Sequence, residues 1–491
     1  MQLNNTSSNS ILFSNLIKFV MRAPFSEILW ALAFFIPFTA FFFLGGQDWL
    51  FVTIAIPILL LGFHYRYQLT TNWSKALLGF IWAIIAVFAF RISWVVFRHV
   101  GQPPVWDFHL FWIYGRVSAQ GLNPYEQGNL LQFANNLKPS PGFLKELYFF
   151  QLPPLIFLFL PLGWFDIKTA TLLWYIFHIA ILIFDIVLLW KIIFSGRSYL
   201  TLSLVGALTL TLGATLDTLG VAQINFLALL MFLLFWRNHK SMFGGGWLAM
   251  GLIVKPVLAF VLLYLFLKRQ WLSILGMVLT LTVLSGVTIL VFGPGMFFGY
   301  FLDNPIVNNM PDYLYTEIVN QSLLATILRV TGYDFSDTSP YTQPIFVTLA
   351  LIIVGVTSFI VYQLPDQQDK INPNWSLALT LSGALLIFPK TLTHYSILLI
   401  VPFLLIWQNR DRVPGGFWVV TIFLTIEYIF ISLWGNYIFV GIALNWLVLV
   451  GISLERLIKS NQQLNSSTTS LLAISLSISL FVMKAAFYHL V

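Results

Sequence analysis

Runs of about twenty apolar residues recur along nearly the whole chain; residues 25–44, 76–97, 169–194 and 271–292 are four of them. A helix needs about twenty such residues to cross a bilayer, because each residue adds 1.5 Å against roughly 30 Å of hydrocarbon. Composition agrees: only 9% of the 491 residues are charged, where a soluble domain carries roughly 25%, so a soluble fold is excluded. The expected fold class is an all-α polytopic membrane protein with about 13–14 membrane helices, including one broken pair. The net charge of +7 falls in short loops between apolar runs. It therefore reports topology and gives no sign of a nucleic-acid partner. With no cysteine, disulfides, thiolate metal sites and a cysteine nucleophile are ruled out.

In chain order, residues 1–24 read as an interfacial segment ending in Lys18 and Arg22, without a cleavable signal pattern. Residues 25–75 form an additional hairpin around Gly45-Gly46-Gln47-Asp48, residues 76–408 a membrane core, and residues 409–491 further membrane helices. Lys18, Arg22, Arg66 and Lys75 share one face, which the positive-inside rule makes cytoplasmic. A long loop, 98–166, then lies on the outer face, and its apolar run 152–162 is too short to cross. Residues 198–216 are expected to go out, Asp217-Thr218-Leu219-Gly220 to turn, and 221–236 to return. Residues 244–267 carry positive charge at both ends and Lys255-Pro256 in the middle, which suits two half-helices returning to the same face. A second outer loop spans 293–343, and Pro389 to Tyr395 forms a third outer segment.

Several residues in this frame carry chemistry. Asp107 lies between Trp106 and Phe108 where a span meets water; it reads either as a solvated carboxylate at a helix end or, where desolvation raises it towards the useful range, as a general base. Arg116 is near it in sequence. Lys255 lies deep in an apolar run, where it either snorkels to an interface or needs an anion, a lipid phosphate being the obvious one. The amides of Gln223 and Asn225 suit either sugar hydroxyls or a neighbouring helix, and Asn320-Gln321-Ser322 is open in the same way. His394-Tyr395, after Pro389-Lys390, suits a phosphate contact, a proton carrier or a structural role. Phosphate-loop, dinucleotide and metal-site signatures are absent, and Gly244-Gly245-Gly246 lacks the Lys-Ser/Thr ending of a phosphate loop.

In order along the chain, these motifs resemble the C-type polytopic glycosyltransferases, specifically glycosyltransferase family 87, which includes polyprenyl-phosphate-mannose-dependent mannosyltransferases. The matching residues are Asp107-Phe108, Gly121-x-Asn123-Pro124-Tyr125, Gln151-Leu152-Pro153-Pro154, Leu160-Pro161-Leu162 and Gln223-x-Asn225. They continue through Gly251-Leu252-x-x-Lys255-Pro256, Lys268-Arg269-x-Trp271, Asn320-Gln321-Ser322-Leu323, and Pro389 with His394-Tyr395. The family's Gly-Gln-x-Asn is stretched here to Gly220-Val221-Ala222-Gln223-Ile224-Asn225.

The resemblance implies a C-type fold in an inner membrane, with its active site on the outer, periplasmic face. It implies transfer of a hexose, mannose being the family's best-known sugar, from a polyprenyl phosphate to a glycolipid or glycan hydroxyl, with inversion. Asp107 would be the base. Lys255, His394, Tyr395, Lys390, Arg116, Gln223, Asn225, Tyr125, Asn320 and Gln321 would line the donor and acceptor sites. It implies no cofactor, and C-type enzymes differ in their use of a divalent metal. The alternative is a flippase or transporter of lipid-linked sugars, which would typically show two related halves; no internal repeat is visible.

Overall fold

The computed structural model describes residues 48–65, 68–102, 107–135, 151–196, 198–302, 313–332, 343–364, 374–410 and 438–460, with isolated positions at 147, 424, 426 and 427. Among these the chain is helical, apart from one isolated bridge between Asn320 and Leu392. In chain order the helices used below are α1 (Asp48–Tyr65), α2 (Thr71–Gly101), α3 (Asp107–Ala119), α4 (Pro153–Trp164) and α5 (Ile167–Ile193). Next come α6 (Tyr199–Thr211), α7 (Gly213–Gly220), α8 (Asn225–Asn238), α9 (Met242–Val254), α10 (Pro256–Leu267) and α11 (Trp271–Phe292). The remainder are α12 (Pro294–Leu302), α13 (Leu323–Thr331), α14 (Pro344–Gln363), α15 (Trp375–Ile387), α16 (Thr393–Gln408) and α17 (Ile438–Ser460).

Two lengths of helix divide the work. Helices α2, α5, α11, α14 and α17 are long and apolar enough to cross a bilayer, and α6 with α7, bent by 57°, is so only when the pair is counted as one. The protein is therefore a multi-pass membrane protein. Helices α8, α9, α10, α15 and α16 are equally apolar but shorter. The 13–14 membrane helices expected include such shorter ones, since polar residues and prolines break several apolar runs into half-helices; the expected spans 25–44 and 471–488, and most of 417–433, lie outside the described residues.

The broken pair at Lys255-Pro256 follows from local chemistry. Proline disfavours the helical region for the residue before it, and Lys255 is extended at φ −145° and ψ 107°, ending α9. The chain then turns back. Tyr264 on α10 lies 5.8 Å, ring to ring, from His239 at the end of α8, and its hydroxyl accepts from Asn374 at the start of α15 (2.8 Å). Ser273 at the start of α11 donates to Ser241 at the start of α9 (3.0 Å). Both ends of the pair thus lie on one face, and its tip, Lys255, points towards the other, called here the site face.

Helices α9 and α11 run side by side in backbone contact. A Cβ on Gly245 would stand 1.8 Å from the carbonyl oxygen of Ser273, and one on Gly276 would stand 2.1 Å from that of Met242. The triple glycine is a packing device of the small-residue kind used between membrane helices.

One expectation is corrected. Asp217 belongs to helix α7 and not to a turn. The bend comes earlier, where Leu212 takes an extended conformation (φ −64°, ψ 129°) before Gly213. This bend carries Asp217 over the ends of the short helices.

Candidate functional site

Asp107 opens α3, a helix that crosses nothing and is clasped to α4. Gly115 and Gly163 meet backbone to backbone: a Cβ on Gly163 would stand 2.2 Å from the Gly115 oxygen, and one on Gly115 would stand 2.1 Å from that of Phe159. Arg116 Nη1 donates to Gly163 O at 2.7 Å, and Trp112 Nε1 donates to Phe165 O at 3.1 Å. Phe111 stacks on Phe159 with ring centres 4.6 Å apart and planes 6° from parallel. These contacts fix the helix that carries the carboxylate. Arg116, expected near a substrate, spends a guanidinium nitrogen on this clasp.

The short helices bring the other groups to Asp107. Gln223 arrives at the start of α8 from a tight turn in which Ala222 has φ 58° and its carbonyl accepts from Trp174 Nε1 at 2.9 Å. Gln223 hydrogen-bonds Asp107, and its Oε1 accepts from Lys255 Nζ at 3.2 Å. Lys255 is 4% exposed; its Nζ also donates to the Tyr395 hydroxyl at 3.4 Å and lies 4.4 Å from the centre of that ring. Burial raises the Asp107 carboxyl above its ordinary range, while His394, the Gln223 hydrogen bond and Lys255 pull it back down and Asp217 adds to the rise. Four sequence-expected residues, Lys255, His394, Tyr395 and Gln223, thus converge on the expected base.

The strip carrying His394 and Tyr395 is held by the 320–322 segment. Asn320 Nδ2 and Ser322 Oγ both donate to Pro389 O, at 2.9 and 3.0 Å. Gln321 N donates to Thr391 O at 2.7 Å, and Thr393 N donates to Val319 O at 3.0 Å. The Gln321 side chain accepts from Phe439 N at 3.0 Å and donates to Ile318 O. Asn320 and Gln321 are fully buried and bonded to backbone, a positioning arrangement.

Other expected residues stand further off. Asn225 is buried and donates to Thr218 Oγ1 at 3.3 Å, the helix-to-helix use of an amide. Lys390 lies on the strip before Thr391, and burial lowers its ammonium to about 8. Tyr125 donates to Gln151 O at 2.8 Å and meets Tyr300 edge to face at 5.4 Å. It lines a cavity of about 430 Å³ with Asn123, Glu126, Phe292 and Met296, at the far end of α3 from Asp107.

Sequence reading missed Asp217. Its Oδ2 accepts from Thr393 Oγ1 at 2.6 Å and lies 3.7 Å from His394 Nδ1. The only signal available was a carboxylate at the outer end of an apolar run, which reads equally well as a solvated turn.

A carboxylate, an ammonium, an imidazole and a phenol gathered at the tips of broken helices define a multi-pass membrane protein with a polar centre sunk below one face. A family model, Glycosyltransferase family 87, matches residues 150–389. Over that stretch, just under half of the chain, it is similar to that family, which supports a membrane glycosyltransferase, hence an enzyme. No curated protein and no solved structure matches it. The matched stretch holds Asp217, Gln223, Lys255 and Asn320, whereas Asp107 and His394 flank it in sequence and join it in space.

Proposed function

We propose that this glycosyltransferase moves a hexose, mannose as the first candidate, from a polyprenyl phosphate to a hydroxyl of a glycolipid or glycan on the outer face of an inner membrane. The observation that carries the reading is the meeting of Asp107 with Lys255, His394, Tyr395 and Gln223 at one recessed point. Helix α9 has 13 residues, so Lys255 stands roughly 20 Å from the opposite face within about 30 Å of hydrocarbon. An anion at that depth must arrive on a lipid. Beside it, α11 is only 17% buried over its apolar window, leaving a flank open to the bilayer.

In the reaction the acceptor oxygen attacks the anomeric carbon from the side opposite the phosphate and its proton passes to Asp107. The bond from carbon to phosphate oxygen breaks, its electron pair stays with the lipid phosphate, and the anomeric centre inverts. The leaving phosphate gains one negative charge. Lys255 neutralises it, and His394 offers a second donor, in a setting where such interactions are far stronger than in water. A phosphate leaves without a strong general acid, so one carboxylate suffices.

The test is sugar transfer from polyprenyl-phosphate hexoses in nanodiscs, wild type against Asp107→Asn. The amide keeps the shape but accepts no proton; transfer should fall by about 10²–10⁴-fold while donor still binds. Undiminished transfer by Asp107→Asn would exclude Asp107 as the base.

A further inference from the structure

We propose that Asp217 is a positioning residue for the donor phosphate: it takes the Nδ1–H of His394 and the hydroxyl of Thr393, so that the Nε2–H of His394 is offered to a phosphate ester oxygen beside Lys255. The inference rests on the phosphate-cradle reading above and deepens it.

Three observations carry it. One oxygen of Asp217 holds two consecutive residues of the strip, at 2.6 Å from Thr393 Oγ1 and 3.7 Å from His394 Nδ1. An imidazole is a rigid ring, so fixing one nitrogen aims the other. The second observation is His394 Nε2 itself, which is buried and has no hydrogen-bond partner among the described residues. Native structures rarely leave such a group without a partner unless a ligand or water supplies one. Thirdly, the groups that act electrostatically on His394 are Lys255, Asp217 and Asp107. The Asp107 carboxylate already receives the Gln223 amide, and the Lys255 ammonium can only donate. What Nε2–H lacks is an acceptor, and what Lys255 lacks is a full counter-anion; a phosphate oxygen answers both. The bend before α7 has the same logic, since a straight continuation of α6 would carry Asp217 away from the strip.

The experiment measures binding of a long-chain polyprenyl phosphate to the full chain in nanodiscs, with inorganic phosphate as a competitor. The variants are Asp217→Ala, Asp217→Asn, His394→Phe, the pair Asp217→Ala with His394→Phe, and Lys255→Met. Asp217→Ala and His394→Phe should each weaken binding by roughly tenfold or more, the size of one hydrogen bond to a charged group. The pair should be no weaker than His394→Phe alone, because Asp217, by way of Nδ1 and Thr393, reaches the phosphate through that ring. Asp217→Asn keeps an acceptor oxygen and should recover binding to within about threefold of wild type. The acceptor KM should be unchanged throughout. Wild-type binding by Asp217→Ala, or multiplied losses in the pair, would overturn the inference. Should Asp217→Ala fail to fold, the cycle runs with Asp217→Leu, which fills the same space without an acceptor, and wild-type binding or losses that multiply there overturn it equally. Lys255→Met separates the two readings: wild-type affinity in that variant refutes the phosphate cradle, whereas weakened binding there beside intact Asp217→Ala refutes only the role of Asp217. Competition by inorganic phosphate at concentrations comparable to the lipid would show a site for free phosphate and remove the lipid from the proposal.

Discussion

Replacing Gly163 by alanine should slow transfer although Gly163 lies on α4 against Gly115, eight residues along α3 from Asp107. The added Cβ would stand 2.2 Å from Gly115 O, 2.3 Å from Gly115 C and 2.6 Å from Arg116 N. All three are main-chain atoms, so no side chain can rotate away. Real contacts essentially never fall below 3.0 Å, and α3 must therefore lift from α4 by at least about 0.8 Å, a small-to-large change that typically costs about 1–3 kcal/mol. Asp107 lies eight residues before Gly115 on the same helix, roughly 12 Å along a rigid rod, so the lift reaches the carboxylate almost undiminished. A displacement near 1 Å can cost about 10²-fold in rate. Turnover should fall by about 10- to 100-fold, with polyprenyl phosphate affinity within about twofold of wild type, since α9, α15 and α16 hold that cradle without α3. The assay is single-turnover transfer in nanodiscs beside a lipid-phosphate binding curve. A folded Gly163→Ala enzyme with wild-type turnover would refute the claim that the clasp sets the position of Asp107.

Burial holds the Asp107 carboxyl above the ordinary carboxylate range, and a base works only when deprotonated. The rate should therefore fall as pH drops through a midpoint above about 3.9, and a pH profile flat down to that value would contradict the assignment. Asn320→Asp removes the donor to Pro389 O and should weaken lipid-phosphate binding by roughly 3- to 10-fold through the strip, leaving acceptor KM alone; unchanged binding would show that the strip holds without it. Gly245→Ala forces a Cβ to 1.8 Å from Ser273 O, whereas at Gly246 the nearest atom is a threonine hydroxyl at 3.1 Å. Thermal unfolding should place Gly245→Ala lower by about 1–3 kcal/mol and Gly246→Ala near wild type.

Much of the frame was legible in the sequence, because apolar run length and loop charge are strong one-dimensional signals. The return of α10 beside α8 follows from Lys255-Pro256 with positive charge at both ends, and the contact of Tyr264 with His239 agrees. Asp107, Lys255 and the His394-Tyr395 pair were visible as polar residues in costly places. What escaped was anything requiring a third dimension. Asp217 looks like a turn residue until the bend at Leu212 brings it to the strip. Asn320 and Gln321 look like ligands until their backbone partners are seen. Hydropathy alone does not tell a full span from half of one, so the division into long and short helices was not legible.

The closest contacts of the clasp between α3 and α4 are main chain on both sides, with Gly115 against Gly163 and Phe159, and Arg116, Trp112 and Phe111 brace them. Such a joint is blind to whatever side chains the neighbouring loops carry. Evolution can therefore rewrite the segment 120–135 without retuning the joint from which Asp107 hangs. For an engineer, the same property makes that loop exchangeable over a fixed frame, provided that the two glycines are left untouched.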